Sequence, residues 1–259
     1  GITRIYEKQM SRDHTENMLL NNHKVIKIKK TNPKNILVSG KKYLNPVNVS
    51  VPGDPSSAAF FVALTLLNKN SKIKIKNVGL NPTRTGFFKI LKRHGGKIRF
   101  TNLKKKNNEI RGDVLVQSSN IKPIKASKEY YVNSTDEYPL LFVIAGLTKG
   151  TSVFKGISDL ANKESNRILE MQKILKQIGI KSISTKNEIK IYGINNTQMS
   201  DKKVIVSNLG DHRICMSSFI LSLITGAQTK IKNFETVFTS SPSFLKTMKK
   251  LGAKFEIQK

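Results

Sequence analysis

Several features are scarce in this sequence, and each scarcity excludes a class of protein. One cysteine, Cys215, is present in 259 residues, so an internal disulfide and a cysteine-rich zinc site are excluded, and we expect a reducing compartment. The apolar runs are too short and too interrupted to span a bilayer, which predicts no membrane segment. The chain begins at Gly1 with an alternating pattern and without the leader of a signal peptide. We therefore expect a cytoplasmic protein, and a chain whose beginning is missing.

Acidic residues are also scarce: 17 Asp and Glu stand against 46 Lys and Arg, which gives a formal net charge of +29. Such a charge is typical of proteins that bind nucleic acid or an anionic surface. Here the lysines are scattered along the chain and accompany abundant Ile and Asn, which indicates a compositional bias rather than a binding patch. We expect no specific nucleic-acid partner, whereas small anionic substrates remain compatible with the charge.

The clearest structural signal is a pattern that occurs three times after residue 53. Each unit opens with an apolar helix and a strand, and continues with a second, lysine-rich helix that ends at a glycine before another strand. The apolar helices begin near Asp54, Asp136 and Asp211. The pattern predicts an α/β fold of βαβαββ units in which the first helices are buried and the second ones lie outside.

The front of the chain has a different organisation. A strand at the start is followed by a short helix opened by Ser11 or Asp13, and then by strands over 24–29 and 36–38. Pro46 and Pro52 bracket an extended segment that marks a boundary. We predict that residues 1–48 are the end of a preceding domain of similar type, and that residues 49–259 form a second domain with three units.

The starts of the apolar helices are candidate sites for anions. A helix N-terminus carries about half a positive charge and unpaired N–H groups. Asp54, Asp136 and Asp211 could each be only a helix N-cap. Capping does not explain Arg213, or the charged residues of the stretch Lys163-Glu164-Ser165-Asn166-Arg167, so both interpretations stay open.

Six motifs together resemble a known family. They are, in chain order, Ser11-Arg12-Asp13-His14-Thr15-Glu16, Gly53-Asp54-Pro55-Ser56-Ser57-Ala58-Ala59, Asn81-Pro82-Thr83-Arg84-Thr85-Gly86, Asp136-Glu137-Tyr138-Pro139, Lys163-Glu164-Ser165-Asn166-Arg167 and Asp211-His212-Arg213-Ile214. Their order and spacing resemble those of 5-enolpyruvylshikimate-3-phosphate synthase, in the bacterial subgroup that tends to tolerate glyphosate. The resemblance covers nearly the whole chain. It implies the enolpyruvyl transferase fold, an inside-out α/β barrel (α/β prism) built from βαβαββ units, and a monomer whose active site lies between two domains.

The resemblance also implies a reaction. The family transfers the enolpyruvyl group of phosphoenolpyruvate to the 5-hydroxyl of shikimate 3-phosphate and releases phosphate, without a metal or redox cofactor. Asp136 matches the carboxylate that accepts the proton of the attacking hydroxyl, and Glu164 matches the one that protonates the phosphoenolpyruvate methylene. The two would act as general base and general acid on one reacting centre.

Further residues match substrate contacts of the family. Lys163, Ser11 and Arg12, together with Asp136, match positions that contact shikimate 3-phosphate; for Ser11 a plain N-cap is an equal alternative. Arg167 and Arg213 match the arginines that hold the phosphoenolpyruvate carboxylate, which a planar guanidinium fits better than an ammonium does.

Some positions depart from the family. Asn166 replaces the usual Asp, and Ala161-Asn162 replaces Arg-Val, so support for Lys163 or Arg167 could be weaker. These departures favour a degenerate, noncatalytic member of the fold as an alternative. Two enzyme classes also compete with the main interpretation: UDP-N-acetylglucosamine enolpyruvyl transferase, and an RNA 3′-phosphate cyclase, whose nucleophilic histidine signature is not visible. Thr239 stands where one subgroup has a substrate-contacting lysine, and we assign it no role.

Overall fold

The front of the chain forms a small antiparallel sheet. The computed structural model describes residues 1–8, 11–20, 25–29, 34–194, 198–207 and 209–258. The elements here are β1 (Ile2–Glu7), α1 (His14–Leu19), β2 (Ile26–Lys29) and β3 (Lys34–Ser39). The strands pair in the order β1-β3-β2, and the short helix α1 lies between β1 and β2 in the chain. The strands predicted here are confirmed, and Lys24, the first residue predicted for the second one, lies outside the described residues.

The first repeated unit follows an extended segment. Its elements are α2 (Pro55–Leu67), β4 (Lys72–Gly79), α3 (Gly86–Arg93), β5 (Lys97–Lys106) and β6 (Glu109–Gln117). The sheet has the antiparallel order β4-β6-β5, and a parallel bridge from Gly53 to Val78 occupies the position of a leading strand.

The second unit shows the complete βαβαββ order. Its elements are β7 (Lys125–Ala126), α4 (Tyr138–Gly146), β8 (Gly150–Lys155), α5 (Arg167–Gln177), β9 (Lys181–Ser184) and β10 (Glu188–Gly193). The sheet has the order β7-β8-β10-β9, with β7 parallel to β8 and the other neighbours antiparallel.

The third unit is shorter among the described residues. It has β11 (Lys203–Val206) parallel to β12 (Gln228–Ile231), separated by α6 (His212–Thr225) and followed by α7 (Thr236–Ser240) and α8 (Phe244–Lys250). The strand predicted after Gly252 is wrong, because residues 253–258 are not in a strand. In the second unit the corresponding strand β9 pairs only with β10. The described part of the third unit has no counterpart of β10, so residues 253–258 lack a neighbouring strand.

The core lies between the first helices of the three units. Helices α2, α4 and α6 contact one another, and all nine residues of α4 are buried. A helix that is apolar on every face needs such an environment. The outer helices α3 and α5 instead bury one face, as predicted. Helices α2, α4 and α6 therefore lie in the centre with the sheets packed against them, which is the predicted inside-out arrangement.

The predicted glycine turns are confirmed at the ends of the outer helices. Gly95, Gly179 and Gly252 have φ angles of +96°, +81° and +95°. This left-handed conformation is strained for residues with a Cβ atom, which explains why glycine recurs there. Among the described residues, no helix has the length and apolar character needed to cross a bilayer.

Candidate active site

The buried guanidinium of Arg167 is the centre of the predicted site. Arg167 is the first residue of α5 and is 1% exposed. Its Nε donates to Asp211 Oδ2 at 2.9 Å, and its Nη2 donates to Asp211 Oδ1 at 3.3 Å and to Glu164 Oε2 at 2.6 Å. A buried cation is stable only when it is paired, and these carboxylates supply the pairing.

The third nitrogen of the guanidinium has a different environment. Nη1 of Arg167 is buried and makes no hydrogen bond to the described residues. It lies 4.0 Å from Asp136 Oδ1, which is within ion-pair range and beyond hydrogen-bond range. A buried cationic donor without a hydrogen bond is unusual, and a ligand that brings an acceptor to this position would satisfy it.

Asp211 joins two of the predicted arginines. Its fully buried carboxylate accepts from Arg167 and from Ser165 Oγ at 2.9 Å. It also accepts from the backbone N–H groups of Arg213 at 2.9 Å and Ile214 at 3.4 Å, which makes it the N-cap of α6. Burial alone raises the pKa of Asp211, but the hydrogen bonds and charge of Arg167 outweigh burial and leave the pKa lowered. Asp211 is therefore an anion that joins the start of α5, through Arg167, to the start of α6, which it caps.

Asp136 is not a helix cap. It lies in the 3₁₀ turn Thr135–Glu137 ahead of α4, and the N-cap residue of α4, Glu137, makes no side-chain capping bond. The Asp136 carboxylate instead lies 2.5 Å from Nη2 of Arg12. Asp54, whose Oδ2 accepts from the Ser57 N–H at 2.8 Å, and Asp211 are N-caps, but neither is only a cap, because Asp54 also binds Arg84 and Asp211 also binds Arg167. For Asp136 the capping interpretation is wrong.

Surrounding cations keep Asp136 ionised. Burial raises its pKa, but the charge of Arg213, the hydrogen bond and charge of Arg12, and the charge of Arg84 together lower it below the usual value. The side chain is 22% exposed, so solvent or a ligand can reach it. The carboxylate is therefore available as a proton acceptor at neutral pH.

The residues before α5 include a further cation, Lys163, which pairs with Asp159. Nζ of Lys163 lies 2.6 Å from Asp159 Oδ2, and the hydroxyl of Tyr131 donates to the same oxygen at 2.9 Å. Glu164 follows directly and is about half exposed. Asp159 was missed from the sequence, although its position four residues before Lys163 is a usable signal.

The departures at Asn166 and Ala161 leave these contacts in place. Asn166 caps α5 because its Oδ1 accepts from the Leu169 N–H at 3.1 Å, which an amide does as well as a carboxylate. Support for Lys163 comes from Asp159, and support for Arg167 from Asp211. Neither support involves position 161 or 166.

The remaining residues of the sequence analysis make none of the contacts to Arg167 described above; they are Ser11, Asp13 and Arg213. Ser11 is not the N-cap of α1, since its N–H donates to Glu7 Oε1 at 2.9 Å and the cap position is Asp13. Asp13 itself makes no capping bond, because its carboxylate contacts Asn81 instead. Arg213 is half-buried, and its charge lowers the pKa of Asp54 and Asp136. The guanidinium of Arg213 forms no salt bridge within the described ranges.

The structure thus brings Arg12, Asp136, Glu164 and Arg167 into one cluster, with Arg213 in electrostatic range of Asp136. In the part of the chain that the structure describes, no three His, Cys, Asp or Glu side chains are grouped to hold a metal ion. Asp136 and Glu164 lie beside different nitrogens of one guanidinium, and carboxyl groups so placed can exchange protons with an anion bound there.

The central buried helices, the outer sheets and the charged cluster at the helix starts define the chain as an enolpyruvyl transferase fold. The enolpyruvyl transferase NikO from Streptomyces tendae has this fold, with a TM-score of 0.68 at 14% identity over 98% of this chain and 56% of that one. The sequence model of EPSP synthase (3-phosphoshikimate 1-carboxyvinyltransferase) matches residues 1–248, and the chain belongs to that family.

Individual relatives agree with this assignment. A 3-phosphoshikimate 1-carboxyvinyltransferase of Persephonella marina is 38% identical over 97% of this chain and 57% of its own length. That of Bacillus subtilis is 34% identical over 98% of this chain and 58% of its own length. The structure of EPSP synthase from Acinetobacter baumannii superposes with a TM-score of 0.88 at 32% identity, over 100% of this chain and 58% of that one. The chain therefore spans somewhat more than half the length of these relatives.

Proposed function

We propose that this chain supplies one side of an active site that transfers the enolpyruvyl group of phosphoenolpyruvate to the 5-hydroxyl of shikimate 3-phosphate. The observation that carries the proposal is that Asp136 and Glu164 lie beside different nitrogens of the Arg167 guanidinium, at 4.0 Å from Nη1 and 2.6 Å from Nη2. One cation beside two carboxylates suits a substrate anion that must gain a proton on one side while a hydroxyl loses one on the other.

The roles follow from the chemistry of each group. Asp136, ionised and partly exposed, accepts the proton of the 5-hydroxyl as its oxygen bonds to C2 of phosphoenolpyruvate. Glu164 delivers a proton to the methylene carbon, which gives a tetrahedral intermediate. The intermediate then loses phosphate with cleavage of its C–O bond, and the departing phosphate takes the proton held by Asp136. The methyl group returns a proton to Glu164, which restores the enol double bond and leaves both carboxyl groups as they began. No atom or electron beyond the two substrates is needed.

The cations hold the substrates. The unbonded Nη1 of Arg167 is the donor left for the phosphoenolpyruvate carboxylate, while Asp211 keeps the rest of the guanidinium fixed. Arg213 contributes the second charge on that substrate. Lys163, Arg12 and Ser11 contact shikimate 3-phosphate, and Asp136 adds its carboxylate on the hydroxyl side.

The wider assignments are part of the same proposal. Residues 1–48 complete a first domain, and residues 49–259 form the second with three units. The partners are the two small substrates, without a specific nucleic acid, and the protein acts as a cytoplasmic monomer. Because the chain spans 57% of the length of its Persephonella marina relative, and the family's site lies between domains, we expect negligible turnover from this chain alone. Product formed by the purified chain would overturn that expectation.

Isothermal titration separates this function from a nucleic-acid function. The chain should bind shikimate 3-phosphate and not an RNA oligomer, and Lys163→Ala should weaken the binding of shikimate 3-phosphate. The matched control is Lys173→Ala, because Lys173 is exposed on α5 and forms its ion pair with Glu170. RNA binding without binding of shikimate 3-phosphate would contradict the proposal and favour the RNA 3′-phosphate cyclase interpretation.

A further inference from the structure

Helix α1 is held by side chains of the first repeated unit. It has six residues, too few for a helix that is stable alone. Asp13 and His14, at its start, and Asn17, one turn later, each make contacts outside the helix. We call the group Asp13, His14, Asn17, Asn81 and Glu109 the α1 clamp.

Asn81 is the centre of the α1 clamp. Its side chain is almost completely buried, and Nδ2 donates to Asp13 Oδ1 at 2.6 Å and to Glu109 Oε2 at 2.9 Å. Its Oδ1 accepts from the N–H of Thr83 at 2.9 Å and from the Thr83 hydroxyl at 2.8 Å. Every hydrogen-bonding position of the amide is therefore used. A neutral donor between two carboxylates is what this position requires.

Glu109 makes the second attachment. Its Oε1 is 2.8 Å from Nδ1 of His14 and accepts from Nδ2 of Asn17 at 3.1 Å. Asn108 adds a bond from its amide to the backbone oxygen of Asn17 at 3.2 Å. The helix is thus fixed at two points one turn apart, which determines both its position and its rotation.

The α1 clamp lies next to a residue of the candidate site. Arg12 directly precedes Asp13, and its Nη2 is 2.5 Å from Asp136 Oδ2. The Arg12 side chain is 43% exposed, so its own packing does not fix it. A shift of α1 would move Arg12 away from Asp136.

We propose that Asn81 and Glu109 are positioning residues, which hold α1 against the first unit and so keep Arg12 on Asp136. The positioning itself is a property of the fold. Its consequence for binding of shikimate 3-phosphate rests on the proposed function.

Hydrogen exchange measured by mass spectrometry on this chain tests the proposal. Asn81→Asp has nearly the same shape but puts a third carboxylate between Asp13 and Glu109 and removes the donor. We expect amide exchange in residues 11–20 to become at least about tenfold faster, while exchange in α4 is unchanged. Asn120→Asp, at an exposed loop position, makes the same charge change and should leave exchange as it is.

A second variant guards against a general loss of structure. Asn81→Asp combined with Glu109→Gln restores a donor between the two positions and should recover part of the protection. Unchanged exchange in Asn81→Asp, or an equal change in Asn120→Asp, would overturn the proposal. Titration with shikimate 3-phosphate then tests the consequence for substrate binding separately from the positioning of α1. Weaker binding by Asn81→Asp, with normal binding by Asn120→Asp, supports the link to the site. If the wild-type chain binds no shikimate 3-phosphate, the proposed function is contradicted. The exchange measurement still tests whether the α1 clamp holds helix α1 in place.

Discussion

Replacing Arg167 by lysine keeps the positive charge and removes the planar fork, so it measures what the guanidinium geometry contributes. Arg167 makes two hydrogen bonds to the buried Asp211 and one to the half-exposed Glu164. Hydrogen bonds to charged groups contribute about 1.5–3 kcal/mol each when buried, and an exposed pair contributes under about 1 kcal/mol. A lysine can keep one bond to Asp211 and loses the others. We expect the free energy of unfolding to fall by about 2–4 kcal/mol.

Urea unfolding followed by circular dichroism measures this loss. With a slope of about 3 kcal/mol per molar urea, the midpoint should fall by roughly 1 M. Arg167→Ala leaves the Asp211 charge without its main partner and should cost at least as much, about 3–5 kcal/mol. Arg99→Lys, on an exposed strand position, is the control and should change stability by less than about 0.5 kcal/mol. If Arg167→Lys shifts the midpoint no more than Arg99→Lys does, the reasoning about the buried fork is refuted.

Three further predictions concern single titratable groups. Burial is the main cause that raises the pKa of Glu137 above 4.5, so its ionisation lowers the stability of the fold as pH rises. Glu137→Gln should therefore resist urea better than wild type at about pH 8, and the difference should be smaller at about pH 5. An equal difference at both pH values would contradict this. The pKa of Asp113 is lowered from 3.8 to about 2, chiefly by the backbone N–H of Asn77, so its stabilisation is complete above pH 3.8 and disappears towards pH 2. Asp113→Asn should therefore show a smaller loss of urea stability between about pH 5 and about pH 2.5, whereas an unchanged acid loss would count against the assignment. Burial raises the pKa of the Cys215 thiol to about 12, so a disulfide reagent should label it only after unfolding, and rapid labelling of the folded chain would contradict its place in the core.

Much of the fold could be predicted because its determinants are local. Apolar helices, alternating strands and terminal glycines are visible within windows of about ten to fifteen residues. Because these features recur three times, the sequence also predicted three buried helices at the centre. The caps at Asp54 and Asp211 followed from the same local logic and are confirmed. The cap at Asp136 failed because Arg12, 124 residues away in sequence, binds the carboxylate.

Contacts between distant parts of the chain had no local signal. Asn81 and Asp13 are 68 residues apart, and Asn17 and Glu109 are 92 apart. A buried amide between two carboxylates depends on the packing of α1 on the first unit, which no periodicity encodes. The strand expected after Gly252 failed for a related reason, since strand formation depends on a partner and not on the pattern of one segment.

Phosphate release from phosphoenolpyruvate and shikimate 3-phosphate by the full-length gene product tests the central claim most directly. Wild type should turn over, and Asp136→Ala and Glu164→Ala should each lose at least about a hundredfold in rate, as expected for a missing general base or acid. Asp201→Ala and Glu129→Ala, which remove exposed carboxylates, should keep wild-type rates. A folded wild-type protein that releases no phosphate, or variants at Asp136 and Glu164 that are as active as these controls, would contradict the account.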